Sequence, residues 1–265
     1  MHLKKMKISY SGLACLLVIA QSIAPSFCNA QENYEIQVYG SETIAKGNTM
    51  AELHSNFTFD GRKETIDGVL PTNHVFHETI EITHGWTSWF ETGLYIFNAI
   101  GNDRRTSYVG SHIRPRVKIP KDWNWPVGVS LSVEAGFQKA TYSEEEWSLE
   151  IRPIVDKQFN KWYFSFNPTF EKSLYTLNKK EGFVFAPNAK ASYNFTTIIA
   201  AGLEYYGALG TLFRDMPYQT QQHQIFIAAD LDWSPDWELN FGYGWGFTQS
   251  TDNAIVKVIL GYRFH

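Results

Sequence analysis

Cysteine is nearly absent from the 265-residue chain, and the only two, Cys15 and Cys28, fall within its first thirty residues. The remainder can form neither a disulfide framework nor a thiolate metal site. Long apolar runs are missing too. None reaches the roughly 20 residues a membrane helix requires, and the mean hydropathy is only −0.27. A basic excess is also lacking, since 23 Lys and Arg stand against 27 Asp and Glu, which argues against a nucleic-acid partner. No stretch rich in proline, glycine or serine divides the chain, so it reads as one domain.

What is present begins with a basic start (Lys4, Lys5, Lys7), an apolar stretch from Leu13 to Ala20 and a small-residue end at Cys28-Asn29-Ala30. That order predicts a cleaved signal peptide over residues 1–30 and therefore export. A lipoprotein reading of Cys15 fails because that cysteine lies inside the apolar stretch. Residues 31–48 fit no membrane strand, and Tyr34 to Val38 is expected to form a short periplasmic or lumen-entering segment.

From Met50 onward apolar and polar residues alternate. Ala51, Leu53, Phe57 and Phe59 share one face, and Glu52, His54, Asn56 and Thr58 share the other. Period two is the mark of a half-buried strand. It recurs at His77 to Thr83, Phe90 to Asn98, Val109 to Ile119, Val127 to Phe137, Trp147 to Lys157, Trp162 to Glu171, Phe183 to Tyr193, Ala200 to Tyr206, Gln224 to Trp233, Trp237 to Thr248 and Ala254 to Phe264. Aromatics at 16% with so low a hydropathy suit a wall whose apolar residues meet lipid on one side only. The expected fold is all-β: a transmembrane antiparallel up-and-down β-barrel of about 12 strands over residues 49–265. In the fourth strand Val109, Ile113, Val117 and Ile119 are expected to face lipid, opposite Gly110, His112, Arg114, Arg116 and Lys118.

The links alternate in length. Those near 85–89, 120–126, 157–161, 194–198 and 234–236 are short, and those near 60–73, 99–107, 172–181 and 207–221 are longer. Outer-membrane barrels keep short turns in the periplasm and long loops outside, so both chain ends are expected on the periplasmic side. Trp86, Trp89, Trp123, Trp125, Trp162, Trp233 and Trp237 gather at the short turns, where an indole has its ring in lipid and its N–H toward headgroups.

The run Lys257 to Phe264, with Gly261 and the alternating aromatics Tyr262 and Phe264, resembles the C-terminal assembly signal of outer-membrane barrels, although His265 follows the last aromatic. The stretches Glu35-Ile36-Gln37-Val38-Tyr39-Gly40, Glu52-Leu53-His54-Ser55-Asn56-Phe57-Thr58 and His112-Ile113-Arg114-Pro115-Arg116 look like an uncharacterised proteobacterial outer-membrane protein family. That resemblance implies a barrel and a transporter-like role. It carries no assigned substrate or site residues.

If the apolar faces meet lipid, ionisable residues line the lumen. Pairing the fourth to sixth strands by their turns puts His112, Glu134 and Glu150 at one depth and Arg114, Ser132 and Arg152 at the next, with Arg116 and Ser130 below. Two readings of this belt stay open: a charged constriction that orients a solute, or a set of buried pairs bracing a closed barrel. Gly128, Ser130, Ser132 and Gly136, with Gly242, Gly244 and Gly246, either leave open space or make room for arginine side chains.

Enzyme chemistry is weakly signalled. Ser55 and Ser111 have no histidine partner on their predicted lipid face, and His112, Glu134 and Glu150 form only a loose acid–base triad. The set His74, His77, Glu78 and Glu81 is a poor metal site, so no catalytic residue, metal or cofactor is expected. The expected function is an outer-membrane channel or uptake barrel, porin-like, for a small hydrophilic or charged solute, with candidate pathway residues His112, Arg114, Arg116, Glu134, Glu150 and Arg152. The other readings are a closed barrel with a structural or surface-binding role and, behind it, an outer-membrane enzyme. Expected partners are outer-membrane lipid, the barrel-assembly machinery through the C-terminal strand, and a small solute.

Overall fold

The computed structural model describes residues 33–101, 104–175, 182–214 and 216–265. The signal-peptide expectation lies outside them. Twelve strands follow one another: β1 (Thr49–Asp60), β2 (Phe76–Gly85), β3 (Phe90–Ile100), β4 (Thr106–Lys118), β5 (Gly128–Gln138), β6 (Trp147–Phe159), β7 (Trp162–Tyr175), β8 (Val184–Asn194), β9 (Ile199–Ala208), β10 (Gln222–Leu231), β11 (Trp237–Gly246) and β12 (Ala254–Phe264). Each pairs antiparallel with its sequence neighbours, and β12 returns to β1 with Met50 opposite Arg263 and Phe57 opposite Val256. Closure leaves no sheet edge, and every strand is long enough to cross a bilayer when tilted.

Burial along the strands is the reverse of a soluble protein's. In β2, Ile80 and Ile82 are more than 40% exposed, while Thr79, Glu81 and Thr83 between them are buried. Leucine, isoleucine, phenylalanine and tryptophan make up the outer surface, and polar side chains fill the interior. Such a surface is stable only against lipid. The seven tryptophans of the short turns are all exposed. Trp162, Tyr193 and Phe195 contact one another, as do Trp233, Trp237, Tyr262 and Phe264, forming an aromatic girdle at the short-turn end.

In β4 alternation fails at Val109, a position expected on the lipid face. The β3–β4 register slips between Phe97 and Asn98, which pair with Gly110 and Tyr108, so Val109 is the extra residue of a bulge. The bulge reverses its direction. Val109 therefore does not share the lipid face with Ile113 and Val117; it is fully buried against Tyr34, Tyr95, Phe97 and Ala99. Link lengths also depart from strict alternation. Thr106 still pairs with Ile100, which trims the β3–β4 link to 101–105, whereas the β4–β5 link over 119–127 takes in a 3-10 turn at Lys121–Trp123.

Residues 33–48 run through the lumen from the long-loop end to the short-turn end, where β1 starts. Asn33 donates to Asp252 beside the β11–β12 loop, and at the other end Asn48 bonds the β2–β3 turn and His265. Both ends of the strand series thus sit at the short-turn end, as expected, but Asn33 lies at the opposite end of the barrel. Its placement depends on contacts with nearly every strand, which local periodicity does not report.

Candidate functional site

The lumenal segment is held by side chains that bond its backbone, since it pairs with no strand. Asn167 accepts from Tyr39 N at 2.8 Å and donates to Tyr39 O at 3.0 Å, and Ser165 donates to the same carbonyl at 2.6 Å. Arg116 donates to the carbonyls of Gly40 and Glu42 at 3.2 and 2.8 Å. Thr79, Asn56 and Lys257 donate to those of Tyr34, Asn33 and Ile36. Ser41 donates through its N–H and hydroxyl to Asp156, and Ile44 N donates to Glu91. Buried backbone groups that lack a ladder are thereby satisfied one by one. Toward the short-turn end Glu42 is half exposed. Burial pushes its carboxyl up, but hydrogen bonds from Lys118 and Lys121 prevail and hold it below the ordinary value.

Around this segment the six belt residues all point inward, and each is paired. His112 Nδ1 lies 2.6 Å from Glu134 Oε1. Arg114 donates to Glu81 at 2.6 Å and reaches Glu91 at 3.4 Å, while Arg116 donates through Nε to Glu91 at 2.7 Å. Arg152 donates to Glu150 at 2.7 Å and contacts Glu35 at 3.5 Å. The partners of Arg114 and Arg116 are therefore the carboxylates of β2 and β3, on the other side of β4 from Glu134 and Glu150. Glu134 does stand opposite Glu150, and Ser132 opposite Arg152. However, β4 is displaced by one residue pair, with His112 opposite Gly136 and Arg116 opposite Ser132. The displacement is set at the β4–β5 link, whose closing bond runs from Ile119 N to Val129 O.

A second charged group was missed from the sequence. Lys257 is fully buried and donates to Glu204, to Tyr206 Oη at 3.1 Å and to Ile36 O at 3.1 Å. Lys190 adds contacts to Glu204 at 3.2 Å and Asp230 at 2.8 Å. The available signal was a charged residue at an inward position in each of β8, β9 and β12.

The small residues leave no free space. A Cβ on Gly128 would come within 2.1 Å of Ser41 Oγ, one on Gly244 within 2.4 Å of the Phe226 ring, and one on Gly136 within 2.1 Å of His112. They make room for the lumenal segment and for neighbouring wall side chains. Other expected groupings separate: Ser55 donates to Glu78, Ser111 meets Tyr108, His74 stacks on Phe57, and His77 packs edge-on to Tyr34. At the long-loop end a cavity of about 760 Å³ lies over Tyr34, lined among others by Asn33, Arg62, Gln222, Gln224 and Asp252. Beside Glu81 are two further inward residues of β1, Glu52 and His54, and the ligand atoms of the three lie within 4.8 Å of one another.

The closed ring of twelve strands around a charged interior has solved counterparts. The chain is similar to the KdgM porin in complex with disordered oligogalacturonate, at 10% identity over 82% of this chain and 99% of that one, with a TM-score of 0.52. An outer membrane channel from Pseudomonas putida F1 gives 9% identity over 87% and 100%, with a TM-score of 0.56. The NanC porin gives 9% over 81% and 99%, with a TM-score of 0.55. The chain has an outer-membrane porin fold. No family model and no curated protein matches it. Within the porin fold, the wall supplies the belt and residues 33–48 fill the space it surrounds.

Proposed function

We propose that this porin-fold barrel is an outer-membrane channel or uptake barrel for a small hydrophilic or charged solute, closed in the present conformation by residues 33–48. One observation carries the reading: the lumen is lined with polar and ionisable side chains, and the body filling it is a separate strand-free segment whose bonds can be exchanged singly for water or solute. With the segment displaced, Arg114, Arg116, Arg152 and Lys257 would present cationic groups beside Glu81, Glu91, Glu134, Glu150 and Glu204. His112 would lie among them, and the belt would set charge preference. The KdgM neighbour was solved with an oligogalacturonate, and an anionic solute of that class would find these guanidinium groups complementary. The cavity over Tyr34 gives such a solute a first resting place at the long-loop mouth.

A channel accounts for the polar lumen better than an enzyme does, because Ser55 and Ser111 are engaged with Glu78 and Tyr108 and lack a histidine base. A closed barrel with a surface-binding role draws support from the filled lumen and the mouth cavity. In either case β12, which carries Gly261, Tyr262 and Phe264 and pairs with β1, is the proposed contact for the barrel-assembly machinery.

The two readings part in planar bilayers. Ser41 Cβ lies 3.2 Å from the Cβ position of Gly128, so a Ser41→Cys, Gly128→Cys pair should form a disulfide once the Asp156 carboxylate, 2.1 Å from that position, swings aside. Conductance is expected to be low in the oxidised pair, to rise on reduction, and to be highest when residues 33–47 are deleted. A deletion variant that folds but does not conduct would rule out the channel.

A further inference from the structure

We propose that Glu52, His54 and Glu81 form a binding site for one divalent transition-metal ion of the zinc type, inside the barrel near its short-turn end. Glu52 and Glu81 are directly opposite across the β1–β2 ladder, and His54 stands two residues beyond Glu52 on the same inward face. All three are buried. Like charges in direct cross-strand register oppose pairing, and burial in the lumen sharpens the cost.

The surrounding cations do not relieve it. Arg114 and Arg116 are divided between Glu81 and Glu91, and Arg263 is held by Glu238. Glu52 has no cationic partner among the described residues; its one contact of this kind is a hydrogen bond with the carboxyl of Glu238. A hydrogen bond between two carboxyls requires a proton on one of them, so the group has one more carboxyl than it has cations, and a bound metal ion would take that proton's place.

His54 supplies the independent observation. Its ring is fully buried, yet Nδ1 makes no hydrogen bond among the described residues, and Nε2 meets Glu81 Oε2 only as a loose ion pair without hydrogen-bond geometry. Buried polar atoms without partners are rare, and each calls for a cause such as an ion. His54 Nε2 and Glu81 Oε2 are 3.5 Å apart. Two ligands each at about 2.0–2.1 Å from a tetrahedral ion would be separated by roughly 3.3 Å, so the pair already spans one edge of such a site.

One imidazole and two carboxylates suit zinc and its first-row neighbours, whereas calcium takes six to eight oxygens. Three protein ligands leave a fourth position for water. Arg114, bonded to the other oxygen of Glu81, and Thr83, which donates to the same oxygen, fix that carboxylate's orientation. The set is invisible to a motif search because Glu81 comes from a different strand, twenty-seven residues from His54 in sequence.

Cobalt is a direct probe. Full-length barrel refolded in detergent with Co²⁺ should develop the visible absorption of a low-symmetry four-coordinate ion, with one metal per chain after dialysis, and lose it to added Zn²⁺. His54→Gln and Glu52→Gln should each weaken binding by about tenfold or more, while His84→Gln and His265→Gln, which remove histidines outside the set, should not. Folding is checked by the gel shift on boiling, and if His54→Gln fails to fold, Glu52→Gln makes the comparison. A folded wild type that acquires no cobalt band, or binding unchanged in a folded His54→Gln or Glu52→Gln variant, would overturn the proposal.

Discussion

The ring of Tyr39 lies 4.8 Å from the guanidinium carbon of Arg152 on β6. The same ring meets Arg114 and Arg116 of β4 at 4.9 and 5.6 Å, and its hydroxyl bonds Glu35 and Tyr95. One side chain of the lumenal segment thus gathers the three arginines of the belt. Cation–π contacts contribute about 0.5–2 kcal/mol each, more when shielded from water. Tyr39→Leu should release the segment, raising conductance and lowering the temperature of the gel shift, while Tyr39→Phe, which keeps the ring, should change both less. Equal behaviour of the leucine and phenylalanine variants would remove the ring from this role.

Replacing Arg114 and Arg116 together by serine takes the buried partners from Glu81 and Glu91. Breaking a buried pair from one side costs about 3–5 kcal/mol, so folding yield in urea titrations should fall sharply. Adding Glu81→Gln and Glu91→Gln to the same protein should recover much of the loss. If the double serine variant instead folds normally and conducts more, the pairs are a constriction with little bracing value.

Lysine at Leu131 or Phe166, both exposed on the wall, should cost roughly 2–4 kcal/mol near mid-membrane. Ser132 faces inward between Arg116 and Arg152 on its two neighbouring strands, so lysine there meets two like charges. Ser132→Asp should accordingly be tolerated better than Ser132→Lys, and the reverse order in refolding midpoints would contradict the register.

The closed hydrogen-bonded wall should place the protein in the outer-membrane fraction and make it migrate differently before and after boiling, because no strand can separate without exposing its ladder. Recovery in the soluble periplasmic fraction with unchanged mobility would contradict a membrane barrel.

The wall was legible because it is a single sheet, one face in lipid and the other in the lumen, so each strand writes its environment directly as period two. Val109 broke the pattern because a bulge inserts one residue and turns that residue inward, while Ile113 and Val117 beyond it keep the lipid face. The belt residues were legible as inward charges. The partners of Arg114 and Arg116 were not, since turn positions put these arginines level with Ser132, Arg152 and Ser130 and gave no reason to look toward Glu81 and Glu91 on the other flank. The lumenal course of residues 33–48 was illegible for a related reason. Tyr34, Ile36 and Val38 resemble a short strand, but what holds them is a scatter of side chains from Asn56 to Lys257.

That course also constrains the order of assembly. A ring that is sealed first would have to admit sixteen residues endwise through a bore already crowded with arginine, lysine and glutamate side chains. A sheet that curls around those residues, with the β1–β12 seam closing last, meets no such obstacle. The lumenal segment is then a mandrel on which the barrel is wound.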